Sequence, residues 1–202
     1  MEHYFTENPQ SEIRESHFSY EINGNELRFV SVSGVFAFGQ RVDKASELLI
    51  ESFRPSGASA FILDVGCGFG PISLFIKKRY PHLQVTGLDI NERAVAYAQK
   101  NRELNHLDVE IIKSNLYDKV RDRCFGDIVS NPPIAAGKAM NTRLIFEAKE
   151  LLENKGALWL VAYHNKGGET LKKIMKECFG NVEDREKSGG VRVYRSVNNG
   201  EN

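Results

Sequence analysis

Apolar residues follow two different periods along the chain, and the alternation of these periods predicts alternating strands and helices. Short runs that are almost continuously apolar are typical of strands buried on both faces of a parallel sheet. Between them, apolar residues recur every three to four positions, as on one face of a helix. The predicted strands are AFILDVG (60–66), QVTGLDI (84–90), VEIIKSN (109–115), DIVSN (127–131) and ALWLVAY (157–163). The predicted helices are 42–53, 71–79, 92–104, 138–152 and 169–179.

A hairpin is predicted at each end of this alternation. Asn23-Gly24 separates two strand-like segments and suits the positive dihedral angles of a two-residue turn. Near the other end, Ser188-Gly189-Gly190 leads into the strand VRVYRSV. The sequence therefore predicts a doubly wound α/β sheet with an antiparallel end hairpin and a small N-terminal β-hairpin. We divide the chain into an N-terminal extension with its hairpin (1–40) and one main domain (41–202).

Composition and charge exclude several classes of protein. Lys and Arg balance Asp and Glu at 27 each, so no global field attracts nucleic acid or an anionic membrane. The chain has neither the pattern of a signal peptide nor a run of roughly 18 apolar residues, which predicts a cytoplasmic protein without a membrane span. Cys67, Cys124 and Cys178 are scattered without a CxxC pair, so we predict packing residues and no metal site.

A glycine-rich loop follows the first strand of the main domain. Three alternating glycines, Gly66, Gly68 and Gly70, allow a tight turn and the close approach of a ligand before the next helix starts. Asp89 ends the next strand about 20 residues on, where an acid can accept both hydroxyls of a ribose. The spacing is GxGxG rather than GxGxxG, and Asp64 would repel a pyrophosphate but attract a cation. These features favour S-adenosylmethionine (SAM) over a dinucleotide.

Three segments in this order, DVGCGFGPISL, VTGLDINERAVAYAQKN and SNPPI, resemble the class I SAM-dependent methyltransferases of the methyltransferase small domain family. The sequence is also similar to the RsmC-type 16S rRNA guanine-N2 methyltransferases and their single-domain relatives. The resemblance covers nearly the whole chain, including HYFTENP, GVFAFGQRVDKASELLI and NPPIAAGK. It implies a seven-stranded Rossmann-like methyltransferase sheet.

The resemblance also implies which residues bind SAM. The glycine-rich loop would hold the methionine part, the acid after the second strand the ribose, and the residues after the third strand the adenine. A phenylalanine in the GVF segment would close the pocket. The implied cofactor-binding residues are Phe36, Asp64, Gly66, Gly68, Gly70, Asp89, Ile90, Asn115 and Leu116.

The segment Asn131-Pro132-Pro133-Ile134 carries the predicted catalytic residues. An exocyclic or amide nitrogen is a poor nucleophile because its lone pair is delocalised. Two acceptors, the Asn131 side-chain oxygen and the Pro132 carbonyl, can orient its hydrogens and favour the charge that develops as it attacks the methyl group. The prolines hold the backbone rigid so that the carbonyls stay aimed into the cleft.

The fourth residue of the motif bears on the substrate. Relatives that methylate adenine N6 or a protein glutamine commonly have an aromatic residue where this chain has Ile134, so stacking on the base would fall to Phe36, Phe38, Tyr163 or His164. The resemblance implies guanine N2 of small-subunit rRNA or of the ribosomal subunit as the target, and self-association of a single-copy chain. The predicted substrate-binding residues are Lys138, Tyr163, His164, Lys166 and Arg192, with Lys187 nearby.

Other functions stay open at this point. A methyltransferase of the same fold could act on adenine N6 or on a protein glutamine. A catalytically silent RNA-binding module would have lost the glycine-rich loop, which is intact here. A nicotinamide-dependent oxidoreductase is disfavoured by GxGxG and by Asn-Pro-Pro.

Overall fold

The computed structural model describes residue 7 and residues 12–200, and within them the chain forms nine strands and five α-helices. The strands are β1 (Glu15–Ile22), β2 (Asn25–Val32), β3 (Phe61–Val65), β4 (Gln84–Asp89), β5 (Val109–Lys113), β6 (Phe125–Ser130), β7 (Leu152–Tyr163), β8 (Glu183–Ser188) and β9 (Val191–Val197). The helices are α1 (Lys44–Ser52), α2 (Pro71–Arg79), α3 (Glu92–Leu104), α4 (Lys138–Leu151) and α5 (Gly168–Phe179). No helix in this part of the chain is long and apolar enough to cross a membrane.

Seven strands form one sheet in the order β5-β4-β3-β6-β7-β9-β8, and β1 and β2 form a separate hairpin. The strands β3 to β7 are parallel, and β9 pairs antiparallel with both β7 and β8. This arrangement confirms the predicted fold class. The chain reverses its direction of winding between β3 and β6, and ligands of doubly wound sheets bind at such a point, beyond the carboxyl ends of the strands.

The N-terminal hairpin turns at Asn23 and Gly24, whose φ angles of 51° and 74° confirm the predicted turn. It packs against α3 through the buried side chain of Asn101. The Asn101 oxygen accepts the Val30 N–H at 2.7 Å, and its amide donates to the carbonyls of Val30 and Phe69. One side chain therefore ties the hairpin to the glycine-rich loop. The division of the chain at residue 40 stays a prediction, and most of the HYFTENP segment lies outside the described residues.

The strand β7 begins five residues earlier than the sequence predicts. The helix α4 ends at Leu151, and pairing with β6 already starts at Leu152. Residues 153–156 then interrupt the register as a bulge. A Cβ added at Gly156 would lie 2.7 Å from the Gly126 carbonyl oxygen, so the backbones approach closely there. Polar residues fill the bulge, and the apolar pattern therefore did not indicate it.

The cysteines differ in their surroundings. Cys67 is buried and Cys178 is half-buried, as expected of packing residues, but Cys124 is exposed. The prediction that all three pack inside the protein is therefore wrong for Cys124. It follows β5 on a loop before β6, at the opposite edge of the sheet from the ligand-binding edge.

Candidate active site

A cavity opens at the carboxyl ends of β3, β4, β5 and β6. The sequence-predicted site residues that line it are Phe36, Gly66, Gly68, Asp89, Ile90, Asn115, Leu116, Asn131 and Pro133. Further lining residues come from the loop before α1 and from the first half of α4. The tertiary fold thus brings the predicted cofactor and catalytic motifs to one place.

The backbone of the glycine-rich loop forms one wall of the cavity. Gly66 and Gly68 have φ angles of 77° and 57°, in the left-handed region that favours glycine. The N–H groups of Gly66 and Cys67 donate to the Leu88 carbonyl at 2.8 and 2.9 Å, which fixes the loop to β4. A Cβ added at Gly66 would meet nothing within 4 Å. The space beside the loop is therefore open to a ligand rather than filled by protein.

Asp89 stands at the end of β4 and holds the loop from the other side. One carboxylate oxygen accepts the Gly68 N–H at 2.8 Å and the other accepts the Asn91 N–H at 2.9 Å. Burial raises the pKa of Asp89 above its ordinary value, while these backbone hydrogen bonds oppose the rise. Each carboxylate oxygen has a second lone pair, so the group can still accept the two hydroxyls of a ribose.

The residues after β4 and β5 form the next part of the wall. Ile90 and Leu116 line it with apolar side chains, and the exposed Asn115 stands between the chain neighbours Ser114 and Leu116. Leu116 has a φ of 48°, and the Ser114 hydroxyl holds its carbonyl at 2.8 Å. An apolar slot beside a polar amide suits a purine, which has flat faces and a hydrogen-bonding edge.

Asp64 does not line the cavity, contrary to its predicted contact with a cationic ligand group. Its side chain is fully buried beneath the loop, where one oxygen accepts the N–H and the hydroxyl of Ser73 in α2. The other oxygen, Oδ1, has no hydrogen-bond partner among the described residues. Asp64 therefore supports the loop from below. Gly70 is likewise outside the cavity wall and caps α2 with a φ of 95°.

The burial of Asp64 predicts a pH-dependent stability. Burial raises its pKa from 3.8 to about 7, so its contribution to stability is complete below about pH 4 and is lost as the pH rises through 7. Asp127, raised to about 6 by burial, acts in the same direction. The free energy of unfolding of the ligand-free protein is expected to fall between about pH 4 and pH 7 in urea titrations.

In the Asp64→Asn variant the free energy of unfolding should decrease less as the pH rises, because the asparagine side chain stays neutral and keeps an acceptor for Ser73. The exposed Asp108→Asn serves as the control and should retain the wild-type slope. Identical slopes in the wild-type protein and the Asp64 variant would contradict the assignment.

Asn131 follows β6 and is held by the start of α1. Its side-chain nitrogen donates to Asp43 Oδ1 at 3.2 Å and to Ser46 Oγ at 3.1 Å. A carboxylate oxygen only accepts, so the NH₂ group must face Asp43, and the amide orientation is determined by this contact. Both amide hydrogens are occupied, and the Asn131 oxygen is left as the group available to a ligand in the cavity.

Sequence reasoning missed Asp43 and Ser46, although both line the cavity. The predicted helix began at residue 42, whereas α1 begins at Lys44 with Asp43 as its N-cap, accepting the N–H groups of Ala45 and Ser46. An Asp just before an apolar helical pattern is a capping signal. That signal could have corrected the boundary, but it could not indicate a contact with a residue 88 positions away.

The remaining residues of the motif have different positions. Pro132 is buried, and no N–H group in the described part of the chain donates to its carbonyl. Pro133 lines the cavity. Ile134 does not: its side chain packs against a cluster of buried apolar residues from β6, β7, α4 and α5, and against Gly167, before α5. Ile134 is therefore a packing residue in this structure rather than part of the cavity wall.

The contact between Ile134 and Gly167 yields a prediction about catalysis. Gly167 has a φ of 102°, and an added Cβ would clash with Ile134 Cγ2. Gly167→Ala is expected to displace the Asn-Pro-Pro segment and slow methyl transfer by up to about 100-fold, since a shift of about 1 Å near reacting atoms has that effect. SAM affinity, measured by calorimetry, should change little because Gly167 is outside the cavity wall.

Two further variants separate the clash from backbone strain. Adding Ile134→Ala to Gly167→Ala removes the clashing methyl group and should restore part of the rate. Gly180→Ala is the control, because Gly180 also has a positive φ of 71° but has open space around it. Loss of rate in Gly180→Ala comparable to that in Gly167→Ala would refute the packing argument.

The predicted substrate-binding residues lie outside the cavity wall. Tyr163 is 42% exposed, and Lys166 Nζ lies 5.6 Å from the centre of its ring. His164 Nδ1 pairs with the buried Tyr194 hydroxyl at 2.9 Å. Arg192 forms an ion pair with Asp184 at 3.2 Å, so its charge is engaged within the chain. Lys138 is exposed at the start of α4.

The fold and the cavity together define a class I SAM-dependent methyltransferase. Three features of the cavity fit the three parts of SAM. The carboxylate can bind the ribose, the apolar slot can hold the adenine, and the open space beside the glycine-rich loop can hold the methionine part. The profile of the methyltransferase small domain family matches residues 26–195. The chain belongs to that family.

Individual relatives are similar to this chain along most of its length. An uncharacterized protein of Bacillus subtilis (strain 168), YbxB, is 34% identical and aligns with 96% of this chain and 98% of its own. A ribosomal RNA small subunit methyltransferase C from Psychromonas ingrahamii is 32% identical over 89% of this chain, which spans 51% of that relative.

A solved structure is similar over almost the whole fold. The T. Thermophilus 16S rRNA N2 methyltransferase (RsmC), in complex with AdoMet and guanosine, superposes with a TM-score of 0.78 and 25% identity. The similarity covers 94% of this chain and 52% of that one. The chain therefore spans about half the length of the relatives that carry the methyltransferase C name.

Proposed function

We propose that the protein methylates the N2 amine of a guanine in small-subunit rRNA. The observation that carries the proposal is the fixed Asn131 oxygen, which lines the same cavity as the glycine-rich loop and Asp89. Relatives named as small-subunit rRNA methyltransferases support the choice of RNA.

The proposed mechanism relies on positioning rather than on covalent catalysis. SAM supplies, when bound, a methyl group that is already activated on a sulfonium. Asn131 Oδ1 and the Pro132 carbonyl accept the two hydrogens of the target amine and direct its lone pair toward the methyl group. The nitrogen–carbon bond forms as the carbon–sulfur bond breaks, and the surplus amine proton passes to solvent. Both acceptors also stabilise the positive charge that develops on the nitrogen.

Nucleoside analysis of rRNA from a strain without the gene tests this function. N2-methylguanine should disappear from one position of the small-subunit rRNA and should return with the wild-type gene. The Asn131→Ala gene should not restore it. Loss of N6-methyladenine, or of methylglutamine from a release factor, would instead support the other substrates of this fold.

Assembly and location follow from the same proposal. We also propose that the protein self-associates, which sedimentation equilibrium can measure. Action on small-subunit rRNA or on the subunit itself implies a cytoplasmic enzyme. Binding to purified subunits and to naked rRNA would show which form is the substrate.

A further inference from the structure

The two carboxylate oxygens of Asp43 have different surroundings. Oδ1 accepts three N–H groups, from the backbones of Ala45 and Ser46 and from the Asn131 side chain, at 3.0 to 3.2 Å. Oδ2 has no hydrogen bond or ion pair with any described residue, and it is not among their buried atoms without a partner. Because Asp43 is half-buried and lines the cavity, Oδ2 is the oxygen available to a ligand beside Asn131.

We infer that Asp43 Oδ2 accepts a ring N–H next to the target amine and thereby selects guanine. The inference rests on the proposed function and deepens it, since it names a residue that determines the base. Asn131 Oδ1 would take one hydrogen of the amine, and Asp43 Oδ2 would take the neighbouring hydrogen on the same edge.

The chemistry of the candidate substrates makes this contact discriminating. The N2 amine of guanine lies next to N1–H, a donor. The N6 amine of adenine lies next to the N1 lone pair, and the N4 amine of cytosine lies next to the N3 lone pair. A glutamine amide nitrogen lies next to its own carbonyl oxygen. Among these four groups, guanine alone presents a donor beside the amine.

A carboxylate in this position favours guanine for two reasons. A hydrogen bond from N1–H to a charged acceptor is stronger than one between neutral groups. Adenine would place a lone pair against the same oxygen, which leaves a desolvated charge without a partner, and sites built on buried polar contacts reject analogues that lack one.

The capping contacts make the acceptor rigid. Two backbone N–H groups of α1 hold Oδ1, so the plane of the carboxylate and the direction of Oδ2 are determined by the helix. The same oxygen orients the Asn131 amide. One capping side chain therefore positions the acceptor for the amine and supplies the acceptor for the adjacent N–H.

The experiment compares two RNAs that differ in this N–H. One is a short uridine-rich RNA with a single guanine, and the other carries 2-aminopurine, which keeps the 2-amine but has a lone pair at N1. Tritium transfer from SAM gives the rate, and fluorescence anisotropy with S-adenosylhomocysteine gives the affinity without turnover. The wild-type protein should prefer guanine by about 10-fold or more in at least one measurement.

Asp43→Asn is the decisive variant. Asn is as good an N-cap as Asp and can keep an oxygen toward the helix, which places NH₂ at the position of Oδ2. A donor there suits the lone pair of 2-aminopurine, so the preference for guanine should fall or reverse. Because 2-aminopurine also lacks the O6 of guanine, the quantity that decides is the change in the ratio between wild type and variant.

Ser46→Ala is the matched control. It removes the other contact to the Asn131 amide and should slow transfer to both RNAs alike, leaving their ratio unchanged. Calorimetry with SAM shows that each variant is folded. The inference is overturned if Asp43→Asn leaves the ratio between the guanine RNA and the 2-aminopurine RNA unchanged. It is also overturned if the wild-type protein gives equal rates and equal affinities for the two RNAs, however high or low these values are. If guanine is still methylated at N2 in either case, the proposed function stands and only the role of Asp43 is rejected. Preferred methyl transfer to the same RNA with adenine in place of guanine would reject the proposed function itself.

Discussion

Replacement of Asn131 by alanine is expected to lower the rate of methyl transfer by on the order of 100-fold or more while SAM affinity changes little. The expected rate loss follows from the removal of one preorganised polar group at the reacting atoms, as with one donor of an oxyanion hole. Asn131 is held by Asp43 and Ser46 rather than by groups of the glycine-rich loop, so its loss should leave the SAM cradle in place.

Single-turnover methylation at saturating SAM and RNA, with calorimetry on the same preparation, measures both quantities. Ser46→Ala keeps the Asn131 oxygen but removes one of the two contacts that orient it, so an intermediate rate is expected. A near-normal rate for Asn131→Ala would show that Asn-Pro-Pro is only a turn. An equal loss of SAM affinity and of rate would show that Asn131 binds SAM rather than the substrate amine.

Replacement of Asp89 by alanine is expected to abolish measurable SAM binding. Two charge-assisted hydrogen bonds of about 1.5–3 kcal/mol each would be lost, which corresponds to roughly a 10²- to 10⁴-fold weaker affinity. The variant also frees the Gly68 N–H, which Asp89 holds at 2.8 Å, so the glycine-rich loop loses a fixed point. Both effects weaken SAM binding.

The stability of the ligand-free protein should change much less than SAM affinity. Burial raises the pKa of Asp89, so the charged side chain is itself costly to bury, and its loss removes that cost together with the two backbone contacts. The stabilisation that SAM confers on the wild-type protein in thermal unfolding should therefore disappear from Asp89→Ala. Asp89→Asn, which keeps one acceptor, should retain a part of it. A wild-type thermal shift in Asp89→Ala would refute the ribose assignment.

The order of the elements and the fold class follow from local patterns in the sequence. The periods of apolar residues are local, and burial on both faces makes a strand nearly continuous in apolar residues, as in 157–162 of β7, where all six residues are apolar and buried. The turn at Asn23 and Gly24 was equally local. The glycine-rich loop and Asp89 were found because topology places the ends of adjacent parallel strands at one edge of the sheet.

Which polar groups face the ligand depends on how the elements pack. Asp64 and Asp89 both lie near the carboxyl ends of predicted strands, yet Asp64 bonds to Ser73 of α2 beneath the loop, while Asp89 lines the cavity. Ile134 belongs to the motif but packs against Gly167. Neither outcome depends on neighbours in the chain.

The clearest case is the contact between Asp43 and Asn131. In the sequence, Asp43 indicates only a helix cap, and Asn131 is only the residue before two prolines. The two residues are 88 positions apart. Only the packing of α1 beside the end of β6 joins them, orients the amide and leaves one carboxylate oxygen accessible. Local patterns predict elements because backbone geometry is local, whereas a hydrogen bond between distant side chains exists only after the elements have packed.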